Sequence, residues 1–219
     1  MPALPEPTLP IIFSTSLLVG FSGALLPGPL LAVSISHTAR HGFWVGPGIV
    51  LGHGILELAL LALMYLGLSR ILDRPVVTGV VGLVGGGMLL IMGLSMVRSS
   101  RHAHMELEGN PERDDSARLR VPLAGAVTSL LNPGWVVWWA TIGTTYVLWA
   151  LGMGLAGLAA FFVGHILADL AWYSFVSGLV ASGRRWLRDA AYRGLLAACG
   201  LFVLLMGGFF VSWGFGKLG

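Results

Sequence analysis

The chain has 219 residues, of which 56% are hydrophobic and only 11% are charged, and its formal net charge is +3. Ordinary soluble domains carry about 25% charged residues, so this composition excludes a water-soluble globular protein and predicts one membrane domain. The basic residues lie between apolar segments and form no continuous stripe. No nucleic-acid partner is therefore expected.

Six long apolar segments are predicted to cross the membrane as helices. A crossing needs about 20 apolar residues, and only helices or closed barrels satisfy the backbone in lipid. These segments are too long and too continuously apolar for barrel strands. The expected fold is an all-α polytopic membrane protein with helices from Leu9 to Ser36, Phe43 to Leu68, Val76 to Val97, Val121 to Trp149, Leu151 to Ser182 and Tyr192 to Phe215.

A polar segment, residues 99–120, separates the third helix from the fourth and is predicted to be a cytoplasmic linker. It divides the chain into a first three-helix repeat, 1–98, and a second, 121–219. The linker contains arginines, acids and two histidines, so a metal-sensing loop is an alternative interpretation.

The distribution of basic residues predicts the orientation in the cytoplasmic (inner) membrane. Ten of the 13 Lys and Arg residues lie in the loops after the first, third and fifth helices. Because cytoplasmic loops are enriched in Lys and Arg, both termini are expected outside the cytoplasm. The first ten residues lack the positive region of a cleavable signal peptide, so the first helix is expected to be retained.

A short motif occurs twice, 112 residues apart. The second helix contains Gly-His-x-x-x-acid with His53 and Glu57, and the fifth contains the same pattern with His165 and Asp169. Since three helices separate the two copies, they run in opposite directions across the bilayer. This relation predicts an inverted-topology repeat.

The first and fourth helices are each expected to break at proline. Pro27, Gly28 and Pro29 interrupt one, and Asn132 and Pro133 interrupt the other. Proline removes a backbone donor and clashes with the preceding turn. Paired interruptions in matching helices indicate a binding site between repeats. The alternative is that both proline kinks only shape the helix bundle.

The two histidines and two acids, here called the quartet, consist of His53, Glu57, His165 and Asp169. In each motif the histidine and the acid share a helical face. An ionised acid in the bilayer costs several kcal/mol unless it pairs, hydrates or takes a proton. Each acid is therefore expected to pair with the histidine of its own helix, in a site for protons and solute. The alternatives are structural clamps between helices and a site for zinc, manganese or nickel.

Other features are less specific. Three tryptophans that follow the second break share one helical face, where they would line a solute pocket or meet lipid; they are Trp135, Trp138 and Trp139. Small residues four apart, such as Gly82 and Gly86, favour close helix packing. The sequence shows no catalytic triad, phosphate-binding loop or cysteine pair. Neither an enzyme nor a cofactor is expected.

The chain resembles the lysine exporter (LysE/RhtB) translocators over nearly its whole length. The resemblance rests on the Pro27-Gly28-Pro29 break, Arg40-His41-Gly42 before a glycine-rich helix, the run from Gly82 to Arg98, and Leu131-Asn132-Pro133 followed by aromatics. It implies six helices in two inverted halves and efflux of amino acids or similar solutes, driven by the membrane potential or a proton gradient. It also implies that both breaks form the core of the site.

The chain departs from the family pattern at Gly134, where a lysine often follows Asn-Pro, and in the charge of its two motifs. Both departures weaken lysine as the expected substrate, and families in the wider superfamily handle divalent metals. The prediction is a secondary exporter working by alternating access, with Glu57 and Asp169 binding protons or cations and the two histidines tuning them. Divalent-metal export and a non-transporting membrane scaffold are the alternatives. The expected partners are the solute and membrane lipids, with homo-oligomers left open.

Overall fold

The computed structural model describes residues 6–72, 74–102, 117–183 and 189–218. Throughout those ranges the regular elements are helices, and no strand occurs in them. The helices are α1 (Leu9–Ala24), α2 (Pro29–His41), α3 (Val45–Leu63), α4 (Ser69–Leu72), α5 (Pro75–Ser100), α6 (Ala117–Leu130), α7 (Pro133–Trp138), α8 (Thr144–Ala150), α9 (Gly154–Gly183) and α10 (Asp189–Leu218), with π turns at Met64–Leu68 and Trp139–Gly143 and a 3-10 turn at Leu151–Met153. The all-α prediction is confirmed for these residues.

The first predicted break is present between α1 and α2, whose axes meet at 77°. Gly28 is the N-cap of α2 in an extended conformation, and Pro29 occupies the first turn. Proline suits this position because its missing N–H would have no partner in the first turn. The chain therefore turns sharply at Pro27-Gly28 and starts a new helix.

The second break lies between α6 and α7. Asn132 caps α7, and its side-chain oxygen accepts a hydrogen bond from the Gly134 N–H at 3.0 Å. Beyond α7 the helix widens into a π turn, where the Thr144 hydroxyl donates to the Trp139 carbonyl at 2.8 Å. The sequence had indicated the break but not the π turn.

Within the described ranges, four helical segments are long and apolar enough to cross a membrane, or five if the bent α1–α2 pair is one span. One of them, Pro133–Gly183, has 51 residues. At 1.5 Å per residue it would extend about 77 Å, far beyond the roughly 30 Å of hydrocarbon. Inside this segment the chain turns at Gly154, the first residue of α9, where φ is +61°. As a result, α8 and α9 pack against each other.

The helices pack through glycines. α6 packs against α3, where a methyl group at Gly52 would overlap the carbonyl oxygen of Pro122, and α1 packs against α9, where one at Gly164 would overlap Ser16. α5 and α10 also pack closely, and a methyl group at Gly86 would lie 2.9 Å from the carbonyl oxygen of Gly207. These contacts bring helix backbones together.

Most of the predicted linker, residues 99–120, lies outside the described residues, as do Arg184, Arg185 and Arg188. The domain boundaries and the orientation of the termini therefore remain predictions.

Candidate functional site

The quartet comes together where α3 meets α9. One ligand atom from each of the four side chains lies within 4.8 Å of the others. All four residues are buried, with exposed fractions of 6% for His53, 1% for Glu57, 3% for His165 and 4% for Asp169. The two copies of the motif thus form one cluster inside the protein.

Glu57 is the most heavily contacted member of the quartet. Its Oε1 accepts hydrogen bonds from the indole N–H groups of Trp139 at 3.0 Å and Trp135 at 3.2 Å. The Nε2 atoms of His53 and His165 lie 2.9 and 3.2 Å from the same oxygen. Glu57 Oε2 is buried and has no hydrogen-bond partner in the described part of the chain.

Asp169 contacts the two histidines less closely than Glu57 does. Its Oδ2 lies 3.7 Å from Nε2 of both His165 and His53, within ion-pair distance but beyond hydrogen-bond distance. This buried atom has no hydrogen-bond partner among the described residues. The predicted pairing of each acid with the histidine of its own helix agrees with both distances, 2.9 Å for His53–Glu57 and 3.7 Å for His165–Asp169, although the second is too long for a hydrogen bond. The close approach of α3 and α9 places His165 Nε2 nearer to Glu57 than to Asp169.

Ser129, on α6, fixes the orientation of His53. The Ser129 hydroxyl donates its single hydrogen to the Gly125 carbonyl at 2.8 Å and lies 2.7 Å from His53 Nδ1. His53 Nδ1 must therefore be the donor in the second bond, since the hydroxyl has no other hydrogen to give. This bond directs His53 Nε2 towards the centre of the quartet.

His165 is held differently. Its ring stacks on Trp138, with centroids 4.8 Å apart, and on Phe161 at 5.8 Å. Its Nδ1 is buried, and within the residues described nothing forms a hydrogen bond with it. The two histidines therefore have equivalent places in the motif but unequal surroundings.

A cavity of about 480 Å³ connects the quartet with both helix breaks. Pro27, Gly28 and Pro29 line it from the first break and Asn132 from the second, whereas Pro133 is buried and does not line it. Aromatic side chains form much of the remaining wall: Trp135, Trp138, Trp139, Phe202, Phe209, Phe210 and Trp213. A solute in this cavity would meet the quartet and the broken backbone at the same time.

Sequence reasoning did not identify the groups that hold the quartet. Ser129 could not be ranked above other hydroxyl residues, and the indole N–H donors Trp135 and Trp139 were not assigned to Glu57. Their spacing of four residues was the available signal, because it places both rings on one helical face.

Comparisons with known proteins place the chain in a family. It is 24% identical to YcgF of Bacillus subtilis (strain 168), a protein named for amino acid efflux, over 94% of this chain and 98% of that protein. It is 28% identical to the chemotactic transduction protein ChpE of Pseudomonas aeruginosa over 90% of this chain and 96% of ChpE. It is 26% identical to a threonine efflux protein of Salmonella typhi over 78% of this chain and 82% of that protein.

No solved structure is significantly similar to the chain. The family model for LysE type translocators, however, matches residues 21–214. That match covers most of the sequence and agrees with the resemblance seen in the helix breaks. The chain therefore belongs to the LysE type translocators, and it is a transport protein rather than an enzyme.

Proposed function

We propose that this chain is a secondary transporter that exports amino acids or similar small solutes across the cytoplasmic membrane by alternating access. One observation carries the proposal: a single cavity of about 480 Å³ is lined by Glu57, Asp169 and residues of both helix breaks. The names of two relatives, for amino acid efflux and threonine efflux, agree with it.

The cavity offers the two kinds of group that a zwitterionic solute needs. The buried oxygens Glu57 Oε2 and Asp169 Oδ2, which have no hydrogen-bond partner in the described ranges, suit an ammonium group or protons. Gly28, the N-cap of α2, lines the same cavity. A helix N-terminus favours a carboxylate, because its first N–H groups are free and its dipole is positive there.

The topology we propose has six crossings: α1–α2, α3, α5, α6–α8, α9 and α10. Two inverted three-helix repeats would make the contact of α1 with α9 equivalent to that of α6 with α3. Gly52 and Gly164, which begin the two motifs, support this equivalence, because each faces the first helix of the other half. The excess of arginine in the loops after the first, third and fifth crossings favours termini outside the cytoplasm.

Counterflow of radiolabelled amino acids in proteoliposomes tests the proposal. We expect uptake by the wild type and at least a tenfold loss of the initial rate in Glu57→Gln and in Asp169→Asn. Glu6→Gln is the matched control, because Glu6 is exposed and lies outside the cavity.

Two results would overturn the proposal. Folded wild-type protein that moves no amino acid would favour the non-transporting scaffold. Flux of divalent metal without amino-acid flux would favour the metal exporter.

A further inference from the structure

We infer that His53, Glu57, His165 and Asp169 bind one divalent transition-metal ion, for which Co²⁺ and Zn²⁺ are the test ions. The inference goes beyond the proposed function, because binding requires no transport. The ion would use the carboxylates that the proposed function offers to an ammonium group or protons, so metal and solute would compete for the quartet.

The donor set suits a transition metal. Two imidazole nitrogens and two carboxylates form a mixed N/O set that zinc, nickel and manganese accept. Two ionised carboxylates carry two negative charges, and a divalent ion would neutralise them inside a buried cluster. Neutralisation matters here because uncompensated charge is costly where water is excluded.

The spacing is close to that of a coordination sphere. Ligand atoms bound at 2.0–2.1 Å in a tetrahedron lie about 3.3 Å apart. The separations of Nε2 from Glu57 Oε1 are 2.9 Å for His53 and 3.2 Å for His165, and those from Asp169 Oδ2 are both 3.7 Å. Since no pair of ligand atoms is separated by more than 4.8 Å, small side-chain movements would close the sphere.

Internal hydrogen bonds do not satisfy the quartet. A carboxylate oxygen has about two lone-pair sites, and the indoles of Trp135 and Trp139 already donate to Glu57 Oε1. The two imidazole Nε2 atoms therefore compete for an oxygen that is already satisfied. In contrast, Glu57 Oε2 and Asp169 Oδ2 are buried and have no hydrogen-bond partner in the described part of the chain. A cation bound by both nitrogens, by the Glu57 carboxylate and by Asp169 would end this competition and compensate the charge of the buried carboxylates.

The groups around His53 are those expected of a metal ligand. Ligating histidines usually donate their second ring N–H to a nearby acceptor, which fixes the tautomer. His53 Nδ1 does so to Ser129. His165 Nδ1 lacks such an acceptor, and aligning Leu25-Leu26 with Leu130-Leu131 places Ala24 where the second half has Ser129. The site therefore has one supported and one unsupported histidine.

Titration of purified, chelator-stripped protein in detergent with Co²⁺ tests the inference. We expect one ion per chain, visible d–d absorption typical of four-coordinate cobalt, and displacement by Zn²⁺. Affinity should fall at least 100-fold in His53→Ala and in His165→Ala. His41→Ala is the matched control, because His41 is exposed on α2 and should leave affinity unchanged.

Asp169→Asn is the second variant in case the alanine variants do not fold, since it keeps the side-chain volume. Zn²⁺ should raise the melting temperature of the wild type and of His41→Ala, but not that of Asp169→Asn. Absence of stoichiometric binding to folded wild type, or equal affinity in the quartet variants, would overturn the inference and leave the quartet as a proton site. Neither outcome affects the amino-acid counterflow test, so the two proposals fail independently.

Discussion

Gly52→Ala would place a methyl group on the backbone of Pro122, where α3 crosses α6. The added carbon would overlap the Pro122 carbonyl oxygen and lie 2.5 Å from its carbonyl carbon. Overpacking lowers the free energy of unfolding by about 1–3 kcal/mol. We take the upper value, about 3 kcal/mol, because the Pro122 backbone cannot rotate away from the methyl group as a side chain can. Higher helix propensity offsets about 1 kcal/mol. The net expectation is a loss of about 2 kcal/mol, or roughly 30-fold in the folding equilibrium.

Thermal unfolding in detergent, followed by tryptophan fluorescence, measures this effect. Gly87→Ala on α5 and Gly208→Ala on α10 are the controls, because nothing lies within 4 Å of a methyl group at either position. We expect both controls to melt at or above the wild-type temperature and Gly52→Ala to melt well below it. If all three melt alike, α3 and α6 are not in backbone contact at Gly52, and the position derived for His53 beside Ser129 is wrong.

Further measurements probe the quartet and the core. Ser129→Ala removes the acceptor of the His53 Nδ1–H and should weaken Co²⁺ affinity about tenfold or more; an unchanged affinity would show that this bond does not orient the ring. Cys199, which is fully buried, should react with a maleimide only after denaturation, as mass spectrometry of labelled protein would show.

The convergence of the quartet could be predicted from the sequence, but the contact of both histidines with Glu57 could not. Spacing of four residues puts a histidine and an acid on one helical face, and two antiparallel copies place both pairs at similar depth. Which histidine meets which acid depends on how closely α3 and α9 approach. That distance is set by packing far along the chain, including the contacts of Gly52 and Gly164 with other helices.

The breaks at Pro27 and Asn132 were also predictable, because proline acts locally on the backbone. The end of the first broken helix could not be predicted, because the apolar pattern weakens after Ser36 whereas α2 continues to His41. Buried Thr38 explains the extension, because its hydroxyl is hydrogen-bonded to that of Ser177 on α9 at 2.9 Å. A polar residue satisfied by a distant helix looks like a loop residue in the sequence alone.

The contact between α5 and α10 has a consequence for motion. A methyl group at Gly93 would lie 2.7 Å from the carbonyl oxygen of Gly200, and one at Gly214 would lie 2.8 Å from that of Gly79. If α5 slid along α10 by one residue, the neighbouring branched side chains would collide with the opposing backbone. We therefore expect α5 and α10 to move together as a rigid body. Any rearrangement that opens the cavity to alternate sides then falls to the hinged helices around Pro27 and Asn132.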